Sequence, residues 1–293
     1  MQKVTPSYLR ANPLPEHDGA ADKQERGRVL VIAGSVEIPG AALLAAVGAL
    51  RAGAGVLQVA TCQSAAGPLR MAMPEAMVVG CGETPAGGIP PSEAVRLGPL
   101  ARDCDAVLIG PGMVDDEAVA ELTLLLLGET FGPHFVLDAQ SFVQMRRHLE
   151  VLKRHRHRLV TTPHSGEMAK FLNLKRDVVD RDPNACAQQA SEMSGAVVAL
   201  KGAETHIVSP SGKSWLCDHG CVGLATSGSG DTLAGILAGL LARGAGVDRA
   251  ACWSVFIHAE AGQRLTKSYG RVGFLAREIP QEVPRIMEDL QNG

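Results

Sequence analysis

Short apolar segments alternate with helical patterns along most of this chain, and this alternation restricts its possible folds more than any other feature. Helices are predicted for the Ala-rich residues 41–52, for residues 231–242 and for residues 249–267. Strands are predicted at residues 28–33, 56–60, 106–109, 135–137, 158–161 and 196–200. Strands that alternate with helices form mostly parallel sheets, because each crossover helix returns the chain to the same end of the sheet. We therefore predict an α/β fold with a central, mainly parallel sheet flanked by helices.

Residues 205–209 and 214–217 break this pattern, because only a short connection separates two strand-like runs. Its residues are Pro210, Ser211, Gly212 and Lys213, a composition that favours a tight turn between antiparallel strands. We predict a small β-hairpin here. No linker-like stretch and no internal repeat is evident elsewhere, so we expect one domain over residues 28–293. Residues 1–27 are expected to form an N-terminal extension on its surface.

The composition bounds the class of protein. The chain has 293 residues, of which 46% are hydrophobic and 3% aromatic, and its net charge is −3. A slightly acidic chain is not expected to bind nucleic acid, and its longest apolar runs are too short to cross a bilayer. The first 28 residues contain no apolar signal core, and seven scattered cysteines without a CxxC pair fit a reducing compartment. We expect a cytoplasmic protein that binds neither membranes nor nucleic acid.

Two local clusters could carry a function, but an ordinary structural role explains each of them better. The basic residues 153–158 could contact phosphate, yet such a run commonly forms the solvated end of a helix. Cys217, His219 and Cys221 could hold a metal, but a structural zinc site normally has a second ligand pair at motif spacing, and none is evident. We therefore predict no metal site formed by the protein itself.

The glycine-rich segment 223–230 is the most informative for function. Gly228 and Gly230 allow backbone amides to approach an anion without obstruction by a Cβ atom. The helix predicted to begin at Asp231 adds free N–H groups and the positive end of its dipole. Gly228, Ser229 and Gly230 therefore predict an anion hole that would hold a phosphoryl group.

A carboxylate at this position repels an anion, so Asp231 needs an explanation. The carboxylate has a catalytic use if Asp231 removes a proton from a hydroxyl group that attacks the phosphoryl group. The alternative is an ordinary Asp in the first turn of a helix. The segment is not a Walker A loop, because no Lys follows the glycines, and Gly34 and Ser35 lack the spacing of a Rossmann fingerprint.

Several further segments follow one another in the order of a known family. They are Gly34-Ser35, Gly40-Ala41-Ala42, Arg51-Ala52-Gly53-Ala54-Gly55, Pro74-Glu75-Ala76-Met77, Gly110-Pro111-Gly112, Asp138-Ala139, Thr162-Pro163-His164-Ser165-Gly166-Glu167-Met168 and Lys201-Gly202-Ala203-Glu204-Thr205. With the segment from Gly228 to Asp231, they resemble the ADP/ATP-dependent NAD(P)H-hydrate dehydratases of the ribokinase-like superfamily. The resemblance extends from about residue 28 to residue 285 and implies a ribokinase-like fold.

The resemblance also implies roles for individual residues. Ala41, Gly112, His164 and Asp231 would line the site for the hydrated nicotinamide of NADH or NADPH, with Asp231 as the catalytic carboxylate. The adenine nucleotide would contact Gly230 and the consecutive residues Lys201, Gly202, Ala203, Glu204 and Thr205. ADP or ATP would donate the phosphoryl group with Mg²⁺ bridging its phosphates, and the protein would be a homotetramer.

The chain departs from the family pattern at several positions. Gln140 stands where a second carboxylate is usual, Ser165 replaces a proline, and Cys221-Val222 replaces an Asn-Pro turn. Ser227 replaces the first glycine of the anion loop, which is compatible with the loop if the backbone angle there suits a non-glycine residue. If Gln140, Ser165, Cys221 and Val222 border the nicotinamide subsite, we expect them to affect substrate affinity rather than phosphoryl chemistry.

Three functions remain open from the residues alone. A dehydratase would phosphorylate the ring hydroxyl and then eliminate phosphate, whereas a small-molecule kinase of the same superfamily would leave a stable phosphorylated sugar, hydroxymethylpyrimidine or thiazole alcohol. A nucleotide-binding regulatory protein is the third class. The complete segment from Gly228 to Asp231 argues against this last class, because binding alone has no use for the carboxylate.

Overall fold

The computed structural model describes residues 1–16 and 22–292, and its strands follow the predicted series closely. Within these residues the strands are β1 (Gln2–Lys3), β2 (Arg28–Ile32), β3 (Val56–Cys62), β4 (Met77–Cys81), β5 (Ala106–Ile109), β6 (His134–Leu137), β7 (Leu159–Thr161), β8 (Val197–Leu200), β9 (Thr205–Val208) and β10 (Ser214–Cys217). Each predicted strand is present with ends shifted by at most two residues, and β1 and β4 are additional.

Helices separate these strands, and the three predicted ones lie close to their expected bounds. The helices are α1 (Pro6–Ala11), α2 (Gly40–Arg51), α3 (Gln63–Ala72), α4 (Ala94–Arg102), α5 (Asp116–Glu129), α6 (Gln140–Val143), α7 (Leu149–Arg154), α8 (Ser165–Leu172), α9 (Arg176–Arg181), α10 (Pro183–Ser194), α11 (Ser229–Ala242), α12 (Val247–Tyr269) and α13 (Ile279–Asn292). In the part of the chain that the structure describes, none of them has the length and apolar character that a bilayer span requires.

The strands of the described residues form one sheet in the order β1-β10-β9-β8-β7-β6-β5-β2-β3-β4. The run from β8 to β4 is parallel throughout, and β9 pairs antiparallel with both β8 and β10. The prediction of a mainly parallel sheet with a β-hairpin is therefore confirmed. Alternate residues of β2 point to opposite faces, with Val29 and Val31 in one core and Leu30 and Ile32 in the other.

The N-terminal segment is more integrated into the domain than we expected. Its strand β1 pairs parallel with β10 and extends the sheet, so the segment does not simply lie on the surface. Val4, Leu9 and Leu14 are buried, and the Trp253 indole N–H donates to the carbonyl of Asn12 at 2.8 Å. The part of the predicted extension formed by residues 17–21 lies outside the described residues.

Helices α2 and α11 approach each other closely enough for backbone contact. A Cβ atom on Gly235 would lie 2.0 Å from the carbonyl oxygen of Ala45, and one on Gly239 would lie 2.4 Å from that of Ala49. A Cβ atom on Gly48 would lie 2.7 Å from the carbonyl oxygen of Thr232. Glycines on both helices thus allow a close approach that no larger residue permits, and this packing holds the start of α11 in place.

Candidate active site

The candidate site lies at the carboxyl ends of the parallel strands. In the sheet, β3 lies on one side of β2 and β5 lies on the other. The strand order therefore reverses between β5 and β2. Open α/β sheets bind ligands at this edge, near such a reversal. The loops that follow β2 and β5 are tied together there, because the Gly34 N–H donates to the Pro111 carbonyl at 2.7 Å.

The predicted anion loop has the expected form. Gly228 has φ +85° and directly precedes α11, and a Cβ atom at Gly228 would lie 2.4 Å from Leu44 Cδ1. A side chain there would be strained by the backbone angle and by this contact. Ser227 is not among the residues with positive φ, so the loop accepts this departure from the family pattern.

A histidine that the sequence analysis did not select orients Ser229 in this loop. His258 Nε2 lies 2.9 Å from Ser229 Oγ and 3.1 Å from the Ser229 carbonyl oxygen. Burial lowers the pKa of His258 to about 4, so the ring is neutral near pH 7. A carbonyl can only accept, so Nε2 carries the proton and is shared between the two oxygens. The Ser229 hydroxyl proton is then free to donate to an anion.

Asp231 lies in the first turn of α11 with three charged neighbours. Burial raises its pKa to about 6, and the charge of Asp138, with a smaller contribution from Glu167, acts in the same direction. Lys201 opposes this rise. We call Asp138, Glu167, Lys201 and Asp231 the charged cluster. It contains three carboxyl groups and one ammonium group, and a carboxylate with a raised pKa is a stronger base than an exposed one.

Lys201 is paired within the charged cluster. Its Nζ donates to Asp138 Oδ1 at 3.0 Å, and the same oxygen accepts from Thr162 Oγ1 at 2.6 Å. Burial lowers the pKa of Lys201, but the charges of Asp138 and Glu167 outweigh this and keep the pKa above its usual value. A Cβ atom on Gly230 would lie 3.1 Å from this ammonium nitrogen, so the charge of Lys201 is next to the anion loop.

His164 caps helix α8, so its two ring nitrogens are not both free to bind a ligand. Its Nδ1 accepts from the N–H groups of Gly166 at 3.0 Å and Glu167 at 3.3 Å, which leaves the proton on Nε2. Glu167 accepts from the His164 N–H at 2.9 Å in return, which forms a capping box. Burial raises the pKa of Glu167. Nε2 lies 3.3 Å from Glu167 Oε1, so it also has a partner within the capping segment.

A cavity of about 880 Å³ opens beside the anion loop. Its lining includes His164, Lys201, Gly202, Ala203, Thr205, Ser229 and Gly230 from the predicted site. Among the described residues that line it, none is Asp or Glu, and Arg176 adds a second cation beside Lys201. Leu224, Leu233 and Val255 give it an apolar sector. A cationic end and an apolar sector fit a phosphorylated molecule that carries a ring.

Other predicted site residues do not line this cavity. Glu204, Gly228 and Asp231 are not in its lining, although each is next to a lining residue along the chain. Ala41 and Gly112 contact each other instead, because a Cβ atom on Gly112 would lie 2.4 Å from Ala41 Cβ. The structure thus separates a cavity near Lys201 from a second group of residues near the ends of β2 and β5.

The four departures do not all line the same cavity. Ser165, Cys221 and Val222 line the cavity beside Lys201, whereas Gln140 does not. Gln140 begins α6, and its Oε1 accepts from Gln144 Nε2 at 3.5 Å. The reason is topological. Position 140 follows β6, whereas the other three positions follow β7 and β10 on the hairpin side of the site.

The basic residues 153–158 lie at the opposite end of the strands from the site, because they immediately precede β7. The Arg158 guanidinium donates to the Gly132 carbonyl, and His155 is buried with Nε2 at 2.8 Å from the Leu127 carbonyl. The run therefore takes no part in the anion site. The structural role preferred from the sequence is confirmed for these residues.

Four residues that contact the predicted site residues were not indicated by the sequence, namely Asp138, Thr162, Glu167 and His258. Three of them lie within the motif segments, where Asp138 and Thr162 directly follow predicted strands. For Asp138 and Thr162, the position directly after a strand was the feature of the sequence that could have indicated a site residue. His258 lies inside α12, and its sequence context is that of an ordinary helix.

Comparison with known proteins identifies the family of the chain. The chain is 44% identical over 293 residues to the ADP-dependent (S)-NAD(P)H-hydrate dehydratase of Xanthomonas campestris. The alignment covers 100% of this chain and 98% of that protein. It spans about half the length of the bifunctional NAD(P)H-hydrate repair enzymes that it also matches.

Solved structures are similar over almost the whole chain. A ribokinase-like superfamily protein of Enterococcus faecalis has a TM-score of 0.84 at 27% identity, and covers 99% of this chain and 97% of its own. The ADP/ATP-dependent NAD(P)H-hydrate dehydratase of Bacillus subtilis, co-crystallized with ATP/Mg²⁺, has a TM-score of 0.82 at 27% identity, with 99% and 98% covered. The ribokinase-like fold is confirmed. A family model described as NAD(P)H-hydrate dehydratase matches residues 29–285, and the chain therefore belongs to the NAD(P)H-hydrate dehydratase family.

Proposed function

We propose that this protein catalyses the nucleotide-dependent dehydration of hydrated NADH and NADPH, with ADP, or alternatively ATP, as the phosphoryl donor. One observation carries the proposal. Asp231, a carboxylate with a pKa raised to about 6, lies in the first turn of the helix that follows the anion loop, next to Gly230, which lines a cationic cavity. The names of the relatives support the dehydratase over the alternative kinase.

The nucleotide is proposed to bind in the 880 Å³ cavity, with its base in the apolar sector and its phosphates toward Lys201. Lys201, Gly202, Ala203, Glu204 and Thr205 form its binding segment, and Gly230 completes it. The terminal phosphate would accept from the loop N–H groups and from the Ser229 hydroxyl, which His258 leaves free to donate. Two cations and no carboxylate in the described lining support a polyanionic ligand here.

The hydrated nicotinamide is proposed to lie on the other side of Asp231, toward Ala41 and Gly112, whereas His164, which was also expected there, lines the nucleotide cavity beside Lys201. Helix α2, which carries Ala41 in its first turn, packs directly on α11, which begins next to Asp231. His164 Nε2 lies 3.3 Å from Glu167 Oε1 and its ring is exposed, so a ribose oxygen near the cavity would compete with Glu167 for this N–H. The two ligands would then meet at Ser229, Gly230 and Asp231.

Asp231 would remove the proton from the ring hydroxyl as that oxygen attacks the terminal phosphorus. The new P–O bond forms while the bond to the leaving nucleotide breaks, so ADP yields AMP. The lone pair of the ring nitrogen then expels phosphate with the C–O electrons. Loss of a proton from the adjacent ring carbon restores the double bond and gives NADH or NADPH. The net reaction consumes ADP and releases AMP and phosphate.

Mg²⁺ would enter the site with the nucleotide. Among the described residues no group of three His, Cys, Asp or Glu side chains is arranged to hold a metal ion, which fits an ion whose ligands come mainly from phosphate oxygens and water. When bound, it would neutralise phosphate charge.

We further propose that the protein acts in the cytoplasm as a homotetramer. Buried or half-buried free cysteines support a reducing compartment. The family resemblance alone supports the tetramer, which light scattering coupled to size-exclusion chromatography would test. A monomer at micromolar concentration would refute it.

The decisive assay incubates the protein with hydrated NADH and either ADP or ATP. We expect the NADH absorption band to return in step with phosphate release, and Asp231→Asn to abolish both. A stable phosphorylated alcohol without the NADH band would establish the kinase instead. No activity with either nucleotide and an intact Asp231 would refute the proposal.

A further inference from the structure

The charged cluster contains an arrangement that the proposed reaction does not by itself explain. Three consecutive parallel strands, β6, β7 and β8, are followed by Asp138, Thr162 and Lys201 at their carboxyl ends. These three residues hydrogen-bond to one another, with Asp138 Oδ1 accepting both from Thr162 Oγ1 and from Lys201 Nζ. Asp138 and Thr162 are buried.

Asp138 is the acid with which Lys201 pairs. Among the described residues, the one ion pair of this ammonium is with Asp138 at 3.0 Å, although Glu167 and Asp231 are both close enough to influence its pKa. The hydroxyl of Thr162 holds the accepting oxygen from the other side. The ammonium therefore faces the anion loop while its charge is offset by a carboxylate other than Asp231.

We propose that Asp138 is a positioning residue that keeps the Lys201 ammonium from pairing with Asp231, so that Asp231 retains an unpaired carboxylate for proton transfer. This inference rests on the proposed function, in which Asp231 is the base. Lys201 could pair either with a nucleotide phosphate or with Asp231. A third group is needed to determine which of the two it pairs with. The hydrogen bonds from Thr162 and Lys201 give Asp138 that position.

Replacing Asp138 by Asn changes the cluster in a defined way. The amide keeps the size and one acceptor but cannot balance the ammonium charge, so Lys201 turns toward the remaining carboxylates. The charged groups that face Asp231 are Asp138 after β6, Glu167 on α8 and Lys201 after β8, and His258 on α12 is neutral. Loss of one negative neighbour and approach of a positive one both lower the pKa of Asp231 and weaken it as a base.

The test compares wild type with Asp138→Asn in ADP binding, turnover and pH dependence. We expect the Kd for ADP to be unchanged or up to about tenfold tighter, because the charged cluster beside the phosphates loses one negative charge. We expect kcat to fall about 10- to 100-fold and the acid limb of the rate to move to lower pH. A structural defect would weaken binding and turnover together. Asp105→Asn, a carboxylate-to-amide change at the opposite end of β5, is the control.

Two results would overturn the inference. One is a folded Asp138→Asn protein with wild-type kcat and acid limb, and the other is ADP binding weakened tenfold or more. If Asp138→Asn does not fold, Thr162→Val decides, because it removes one hydrogen bond to Asp138 and leaves every charge in place. Its kcat should fall severalfold with ADP binding retained, and a wild-type kcat would refute the positioning role. If wild type forms no NADH, the proposed function fails, while ADP binding still tests Asp138.

Discussion

The replacement of Asp231 by Asn should have opposite effects on activity and on stability. Asn has the size of Asp and can remain at the start of α11, but it cannot accept the hydroxyl proton. We expect turnover to fall about 10²- to 10⁴-fold, which is the usual contribution of a general base. Nucleotide binding should be retained or slightly tighter, because a negative charge beside the phosphates is removed.

The stability gain follows from the environment of the carboxylate. Burial, together with Asp138 and Glu167, raises the pKa of Asp231 from the usual 3.8 to about 6. A rise of this size corresponds to at most about 3 kcal/mol at neutral pH. Partial solvent contact and the favourable interaction of a carboxylate with a helix N-terminus reduce the gain expected from Asn to about 1–2 kcal/mol.

The gain depends on pH in a direction that can be checked. The folded protein binds this proton more tightly than the unfolded chain, so the carboxyl group imposes no penalty below about pH 4. The penalty grows as the pH rises and is complete above the folded-state pKa of about 6. Asp231→Asn should therefore be close to wild type at pH 4 and more stable at pH 7.5.

Thermal unfolding of both proteins at several pH values measures this difference. An increase of about 2–6 °C in the Tm of Asp231→Asn at pH 7.5, absent near pH 4, is the expected result. A Tm that is lower at all pH values would show that the carboxylate is stabilised by its surroundings. Activity within a few-fold of wild type would remove Asp231 from the chemistry.

Three further outcomes are expected. The wild-type kcat/KM should fall below about pH 6 as Asp231 becomes protonated, and a profile that stays flat to pH 4 would contradict its role as base. Gly235→Ala should destabilise the protein by about 3 kcal/mol or more in urea unfolding, because its Cβ atom would lie 2.0 Å from the Ala45 carbonyl oxygen. Gly67→Ala in the exposed helix α3, where nothing lies within 4 Å, should be neutral or stabilising. Gln140→Asp should change KM by no more than about tenfold with kcat nearly constant, and a tenfold loss of kcat would mean that this side chain reaches the reacting atoms.

Most of the sheet could be predicted because the central strands are short, largely apolar runs. Strand β5 (Ala106–Ile109) is buried at all four positions and was predicted with its observed bounds. The edge strand β4 was missed because it contains Gly80 and an exposed Met77, so its pattern is weak. Strand β1 has two exposed residues and exists only through pairing with β10, which local sequence cannot indicate.

The anion loop could be predicted for a related reason, since Gly228, Ser229, Gly230 and Asp231 are consecutive and act through local backbone geometry. The ion pair between Lys201 and Asp138 joins residues 63 positions apart. It depends on which strands are neighbours and on where each one ends. The order of strands in the sheet determines this pairing, and local sequence does not indicate that order. Local sequence does not indicate the contact of His258 either, because its ring reaches Ser229 only where α12 packs against α11.

The segment around Asp138 shows how charge placement changes the interpretation of a departure. From the sequence, the notable feature was the missing second carboxylate at position 140. In the structure the first carboxylate, Asp138, holds Lys201, while Gln140 is turned to Gln144. The substitution therefore leaves the balance of the charged cluster unchanged. Ser165, Cys221 and Val222 instead line the cavity, so they can alter the fit of a ligand without changing the groups that would move the proton.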